Sequence, residues 1–184
     1  IYFRKLIKKN FVGKILKVNI NASSYLPNWR KTKYTQSVSA KHKLGGGVLL
    51  ELSHEIDYII WIFDNIKSVF ASYTYSGTLE IDTEDNVDII LQTFENYNIT
   101  VNLNFNQKKE KRICEVFGTN GYIKTDIQNK KILMQKYTNK KLNKIIFKKD
   151  KNLMYVNQLH YFLNLRKKLN SNINSFQSAI KTQT

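Results

Sequence analysis

From Val69 to Phe147 the sequence offers one stretch after another in which apolar and polar residues alternate, with no helical period in between. Val69, Ala71, Tyr73 and Tyr75 alternate, and Ser76-Gly77 punctuates. An acidic run, Glu80-Ile81-Asp82-Thr83-Glu84-Asp85, leads into Asn86 to Phe94, which is apolar on both faces in places and is expected as a central strand. Asn96-Tyr97-Asn98 reads as a hairpin turn, after which Ile99, Val101, Leu103 and Phe105 alternate cleanly. Strands over 112–117 and 121–126 flank Gly118-Thr119-Asn120-Gly121, a hairpin signal. Weaker strands follow at 131–137 and 142–148. Strands that succeed one another without helices pair antiparallel, because a parallel neighbour needs a long crossover. With helical segments before and after this run, the expected class is α+β: an open, mostly antiparallel sheet with helices gathered on one face.

The helical segment with most chemistry is Gly45 to Phe63, read as one helix behind three glycines. Val48, Leu49, Leu52, Ile56, Ile59, Ile60 and Phe63 fall on one side at helical spacing. His54 sits opposite the middle of that stripe, flanked by Leu50, Glu51, Asp57, Tyr58 and Trp61. Glu51 and Asp57 each lie one turn from His54, within reach of it. The glycines allow close backbone approach or a turn that a Cβ would forbid. The plain alternative is a buried helix whose second face packs under a loop.

Elsewhere, residues 3–9 suit a short amphipathic helix that ends at Asn10 to Gly13. Leu16, Val18, Ile20 and Ala22 alternate as a strand. Residues 23–44 show no period and contain Pro27, Trp29, Arg30, Tyr34 and Lys41-His42-Lys43; connections this long are more often functional than idle. A final amphipathic helix is expected from about 153 to 169, and 176–180 suits a last turn.

The chain has 184 residues, enough for one domain with a substantial core, and its 42% hydrophobic content argues for a folded protein. No apolar run approaches the roughly 20 residues of a membrane span, so no membrane partner is expected. Cys114 is the single cysteine, which excludes a disulfide framework and fits a cytoplasmic location. No His, Asp and Glu cluster at metal-ligand spacing, so no metal is expected. The net charge of +16 admits a basic, polyanion-binding module. Against that, the lysines are dispersed, only 130–151 is dense, and arginine, the preferred phosphate reader, is scarce; no nucleic-acid partner is expected.

An ordered series completes the reading: Gly13-Lys14-Ile15 opening a strand, Pro27-Asn28-Trp29-Arg30, G-G-G-V-L-L-E-L-S-H-E-I-D-Y-I-I-W-I-F, L-E-I-D-T-E-D-N-V-D-I-I-L and F-G-T-N-G-Y-I-K. The series resembles the C-terminal domain of the glucose–fructose oxidoreductase / inositol dehydrogenase (Gfo/Idh/MocA) family, from about residue 3 to residue 127, with Met154-Tyr155 to Phe162 similar to that family's closing helix. The resemblance implies that residues 1–184 form a single substrate and oligomerisation domain, preceded in the complete polypeptide by a Rossmann domain that holds most of an NAD or NADP cofactor. It implies an oxidoreductase acting on a sugar, sugar derivative or cyclitol, inactive as this chain alone.

His54 maps onto the family's active-site histidine, expected to transfer a proton with Glu51 or Asp57 as its acidic partner. Many members carry an aspartate four residues before that histidine; here the position is Leu50. Trp29, Arg30, Tyr34 and Lys41 are the substrate-binding candidates, and Gly45 and Gly46 the cofactor-contacting ones. The uncovered sheet face is expected to pair with a second copy, with Tyr73, Tyr75, Leu103 and Phe105 presenting apolar surface there. A non-catalytic relative that serves assembly stays open as an alternative.

Overall fold

The computed structural model describes residues 1–64, 66–139, 141–147, 152–165 and 180. Its elements run α1 (Tyr2–Lys8), β1 (Ile15–Tyr25), four 3₁₀ turns (Leu26–Asn28, Tyr34–Gln36, Val38–Ala40, His42–Leu44), α2 (Val48–Glu51), α3 (Ser53–Phe63), β2 (Ile66–Thr74), β3 (Asn86–Thr93), β4 (Asn98–Asn104), β5 (Asn106–Gly118), β6 (Gly121–Asp126), β7 (Lys131–Lys136), β8 (Leu142–Ile146) and α4 (Leu153–Leu165). Two compact units result, Ile1–Ile146 and Phe147–Thr184. In the second unit α4 begins where the sequence places it. Its expected continuation to 169 and most of the turn at 176–180 lie outside the described residues.

The first unit is built on one eight-stranded sheet in the order β2-β3-β4-β1-β5-β6-β7-β8. Among the described residues only β1 and β4 pair in parallel; the other pairs are antiparallel. The parallel pair exists because the long connection and two helices separate β1 from the meander that follows, which is the crossover such a pair requires.

Alternation becomes three apolar rows across the sheet. One row runs Val69, Leu91, Ile99, Val18, Val116, Ile123 and Met134. The next runs Ala71, Ile89, Val101, Ile20, Cys114, Thr125 and Ile132. The third runs Tyr73, Val87, Leu103 and Ala22, and ends at Arg112. Helices cover this face: Phe3 of α1, Val48 of α2, and Ile59 and Phe63 of α3 share one core with it. Arg4 stacks over the Trp61 ring at 4.2 Å, fixing α1 against α3.

Cover on one face only accounts for three departures from expectation. β3 is buried on one side and exposed on the other, not apolar-buried on both. Leu103 and Phe105 have no exposure at all and belong to the core, so they present nothing on the open face. Tyr73 stands in register with the core rows yet is 65% exposed, because it lies on β2, one of the two edge strands, which is exposed over nearly its whole length. The open face carries a polar ladder instead. Asn21 donates to Asn102 (3.0 Å), Asn102 to Asp88 (2.8 Å), Asn104 to Asn102 (3.1 Å) and Thr100 to Asn19 (2.9 Å).

The acidic run stitches the aperiodic segment to the sheet. Asp82 accepts from the His42 amide, Ala40 accepts from the Asp82 amide, Thr83 donates to the Ser39 carbonyl, and the Glu80 amide donates to the Tyr34 hydroxyl. Glu84 accepts from the first two amides of α2, Val48 through its backbone and Leu49 through its carboxylate. Gly47, at φ 115°, leaves the space that the Glu84 carboxylate fills.

Cys114 sits in the middle core row, next to Ile20, with no exposure. Burial pushes its thiol well up from the usual range, and the Glu55 and Glu115 charges add to that. A thiol reagent should therefore label native chain at least about a hundredfold more slowly than denatured chain, since labelling waits on opening. Immediate labelling of native protein would show that β5 does not hold the sheet's interior.

Candidate functional site

The expected single helix over 45–63 is two helices. Leu52 (φ −103°, ψ 18°) ends α2, and α3 starts at Ser53. Each piece has its own anchor: Glu51 of α2 accepts a 2.5 Å hydrogen bond from Ser39, and Glu55 of α3 accepts one of 2.5 Å from Arg112 Nε. Leu52 and Glu55 both turn inward, as residues three apart on one helical face do.

Glu55 is fully buried. A carboxylate taken from water needs a cation and hydrogen bonds. Arg112 supplies both, because β5 alternates it onto the core face in phase with Cys114 and Val116, opposite Ala22. The same Glu55 Oε1 lies 3.2 Å from His54 Nε2. Behind it, Glu55 Oε2 and the Tyr58 hydroxyl are buried without a hydrogen-bond partner. Burial holds the Tyr58 phenol well above its usual range; the Cys114 and Glu55 charges and a Glu55 hydrogen-bond contact add to this, and Arg112 opposes it. That contact falls short of full hydrogen-bond geometry, which leaves both oxygens with capacity unmet.

His54 itself is half-exposed, at 51% of its side chain. It opens on a cleft of about 280 Å³ lined by Ser24, Trp29, Glu51, Glu55, Lys111 and Arg112 among others. Trp29 is held rigidly: its indole Nε1 donates to Ser24 Oγ (3.0 Å), and its ring meets Phe105 edge to face at 5.1 Å. The cleft thus combines a fixed aromatic wall, an accessible imidazole and charged groups of both signs. That is the surface a polyhydroxylated ligand requires: an apolar patch for C–H bonds and hydrogen-bonding groups for hydroxyls.

Of the sequence-derived candidates, His54, Glu51 and Trp29 meet in this cleft. Asp57, Arg30 and Lys41 are exposed and are not among its lining residues. Tyr34 packs against the core and accepts from the Glu80 amide. The carboxylate beside His54 is Glu55, whereas Glu51 is engaged by Ser39. Gly45, Gly46, Gly47 and Val48 spend their amides on His42, Lys41, Ser39 and Glu84 carbonyls, so none is left to cradle a phosphate. A Cβ on Gly46 would strike the Val38 and Ser39 carbonyls; Gly45 stands open, at φ 78°.

Sequence reasoning missed Glu55 and Arg112, although both carried a signal. Glu55 lies about 40° around the helix from Ile59, on the buried stripe. Arg112 is in phase with two core residues of its strand.

A model of the GFO/IDH/MocA C-terminal domain matches residues 1–124. No curated protein matches significantly. Solved structures share the fold. Levoglucosan dehydrogenase in complex with NADH and levoglucosan matches with a TM-score of 0.79 at 15% identity, over 98% of this chain and 58% of that one. UDP-N-acetylglucosamine 3-dehydrogenase from Acidithiobacillus ferrooxidans gives 0.74 at 10% identity, over 97% and 53%. An inositol dehydrogenase homolog complexed with NAD+, from Azotobacter vinelandii, gives 0.66 at 14% identity, over 78% and 39%. The chain therefore spans little more than half the length of levoglucosan dehydrogenase and of the UDP-N-acetylglucosamine 3-dehydrogenase.

Removing Arg112 strands a buried carboxylate. Arg112→Met should cost about 3 kcal/mol, the low end for a broken buried pair because the guanidinium is partly exposed. Urea unfolding checks this; a loss within about 0.5 kcal/mol would place Glu55 in contact with water.

Proposed function

The chain belongs to the Gfo/Idh/MocA family through its C-terminal domain, and on that premise we propose that it is the substrate-binding part of an NAD(P)-dependent oxidoreductase acting on a sugar, sugar derivative or cyclitol. The observation that carries this reading is the half-exposed His54 facing a cleft with a rigid Trp29 wall. Two of the similar structures are of levoglucosan dehydrogenase, one in complex with NADH and levoglucosan and one with NADH and L-sorbose.

In this reading the hydroxyl to be oxidised lies against His54, which takes its proton as the carbon gives up hydride. The nicotinamide, when bound, supplies the hydride acceptor. Trp29 orients the ring of the substrate. Glu51 and Lys111 are placed for its hydroxyls, and Arg30 and Lys41 for groups reaching past the cleft. Asp57 and Tyr34 lie outside the cleft lining, and Tyr34 ties the acidic run to the preceding segment through the Glu80 amide. With its amides committed, the glycine segment offers a dinucleotide only the open side of Gly45. The cofactor is accordingly assigned to a Rossmann domain elsewhere in the complete polypeptide, and this chain alone to an inactive state.

Contact with a second copy is assigned to the open sheet face, where Phe70 and Ile90 flank the amide ladder. Among the described residues no helix is long and apolar enough to cross a membrane. The lone, buried thiol supports a cytoplasmic setting.

His54→Asn in the complete enzyme should lower turnover by about 10²- to 10⁴-fold, the usual worth of a positioned proton acceptor. Dinucleotide affinity should hold and stability should change by no more than about 0.5 kcal/mol. Steady-state kinetics, dinucleotide titration and melting together check it. Full turnover in the variant, or loss of turnover through unfolding alone, would remove His54 from the chemistry.

A further inference from the structure

His54 does not stand alone in its cleft. The nearest carboxylate, Glu55, is adjacent in sequence yet has no solvent exposure, and one oxygen, Oε1, faces both His54 Nε2 (3.2 Å) and Arg112 Nε (2.5 Å). A buried glutamate that served packing alone would be replaced readily by an apolar residue, since a buried ion pair seldom stabilises more than the apolar residues that could take its place. Here the pair spans two elements, α3 and β5, and stands where the third core row changes from apolar residues to a charge. It forms the floor of the cleft from which the imidazole rises.

We propose that Glu55, clamped by Arg112, is the positioning carboxylate for His54. The inference rests on the proton-transfer role proposed above for the imidazole. Arg112 fixes Glu55, because its Nε–H can be satisfied from one direction only and the carboxylate is locked by burial. Glu55 Oε1 lies 3.2 Å from His54 Nε2 and so favours the proton on that ring nitrogen. Nδ1 is then the ring nitrogen left to accept a hydroxyl proton. When it does, the positive charge on the ring forms 3.2 Å from a carboxylate that cannot move away or be screened by water. The other charged groups lining the cleft, Glu51, Glu110 and Lys111, come from α2 and β5. Glu51 is already engaged by Ser39, so it is not free to take over this position. Glu55 does not touch the reacting atoms; it acts through His54.

Two variants test the proposal. Glu55→Gln keeps shape and removes charge. The double variant Glu55→Met with Arg112→Met replaces the pair by apolar side chains and leaves no orphaned charge, so that the fold is kept. The first readout needs no substrate: ¹⁵N shifts of His54 in this chain report which ring nitrogen carries the proton in the neutral imidazole. The wild type should show mainly the Nε2–H form, and the double variant a mixture. The second readout is turnover of the complete enzyme, with the polyol that the wild type oxidises fastest. Both variants should lose about 10- to 100-fold in kcat; Glu55→Gln should keep KM within about twofold, because Glu55 has no exposed surface to offer the substrate, whereas Arg112 lines the cleft and the double variant is judged on kcat and tautomer alone.

Unchanged tautomer populations, or unchanged kcat in folded variants, would overturn the proposal. If the double variant fails to fold, Glu55→Gln decides alone. His54→Asn, run alongside, separates the two claims. If it abolishes turnover and the Glu55 variants do not, only the positioning role falls. If it leaves turnover intact, the proton-transfer reading falls, and the tautomer measurement still judges the Glu55 contact.

Discussion

A carboxylate with no access to water sets terms for everything around it, and Glu55 is that carboxylate. Its charge is tolerable only because Arg112 reaches it, and Arg112 reaches it only because the β1–β5 register puts residue 112 on the helix-covered face. A slip of one residue in that pairing would turn Arg112 to the open face and leave Glu55 without compensation. The pair therefore ties the register of the sheet to the placement of α3, and with α3 the position of His54. Cys114 and Val116, the next two residues in phase, carry the same register into the apolar core.

A second constraint acts on the approach to the helix. The segment from Leu26 to Leu44 has no hydrophobic period, and short 3₁₀ turns satisfy only part of its backbone. The run from Glu80 to Asp85 completes it with backbone amides and carboxylates. Acidic residues suit this task, since each carboxylate can accept several amide donors. Asp85 takes both the amide and the hydroxyl of Ser76. Glu84 holds the start of α2 where a side chain on Gly47 would intrude. Trp29 is set by the same framework through Ser24 and Phe105, so the wall of the cleft and its floor are fixed by separate sets of contacts.

Strand alternation carries the fold because it is local: Val18, Ile20 and Ala22, or Ile99, Val101 and Leu103, announce their shared face in any context. Which face that is depends on partners distant in sequence, and so Leu103 and Phe105 were expected on the open side and lie in the core. The helix showed the converse. A wheel drawn through an unbroken Gly45–Phe63 helix places His54 away from the core, as found, but treats charged residues as solvent-facing. Glu55 shares the stripe with Ile59 and escapes notice, because its burial is paid for by an arginine nearly sixty positions later. That His54, Glu51 and Trp29 share one cleft was legible in the sequence; the place of Arg112 was not, since a lone cation in a strand reads as surface until its register is known.

The account turns on whether Glu55 and Arg112 act as one unit. A double-mutant cycle of Glu55→Met and Arg112→Met, read by urea unfolding of this chain, measures that directly. Coupled residues should give a double variant less destabilised than the sum of the single ones by about 2 kcal/mol or more, because removing both leaves no buried charge without a partner. Additivity within about 0.5 kcal/mol would contradict the account, showing that each side chain meets its own environment and that the pair does not hold α3 to the sheet.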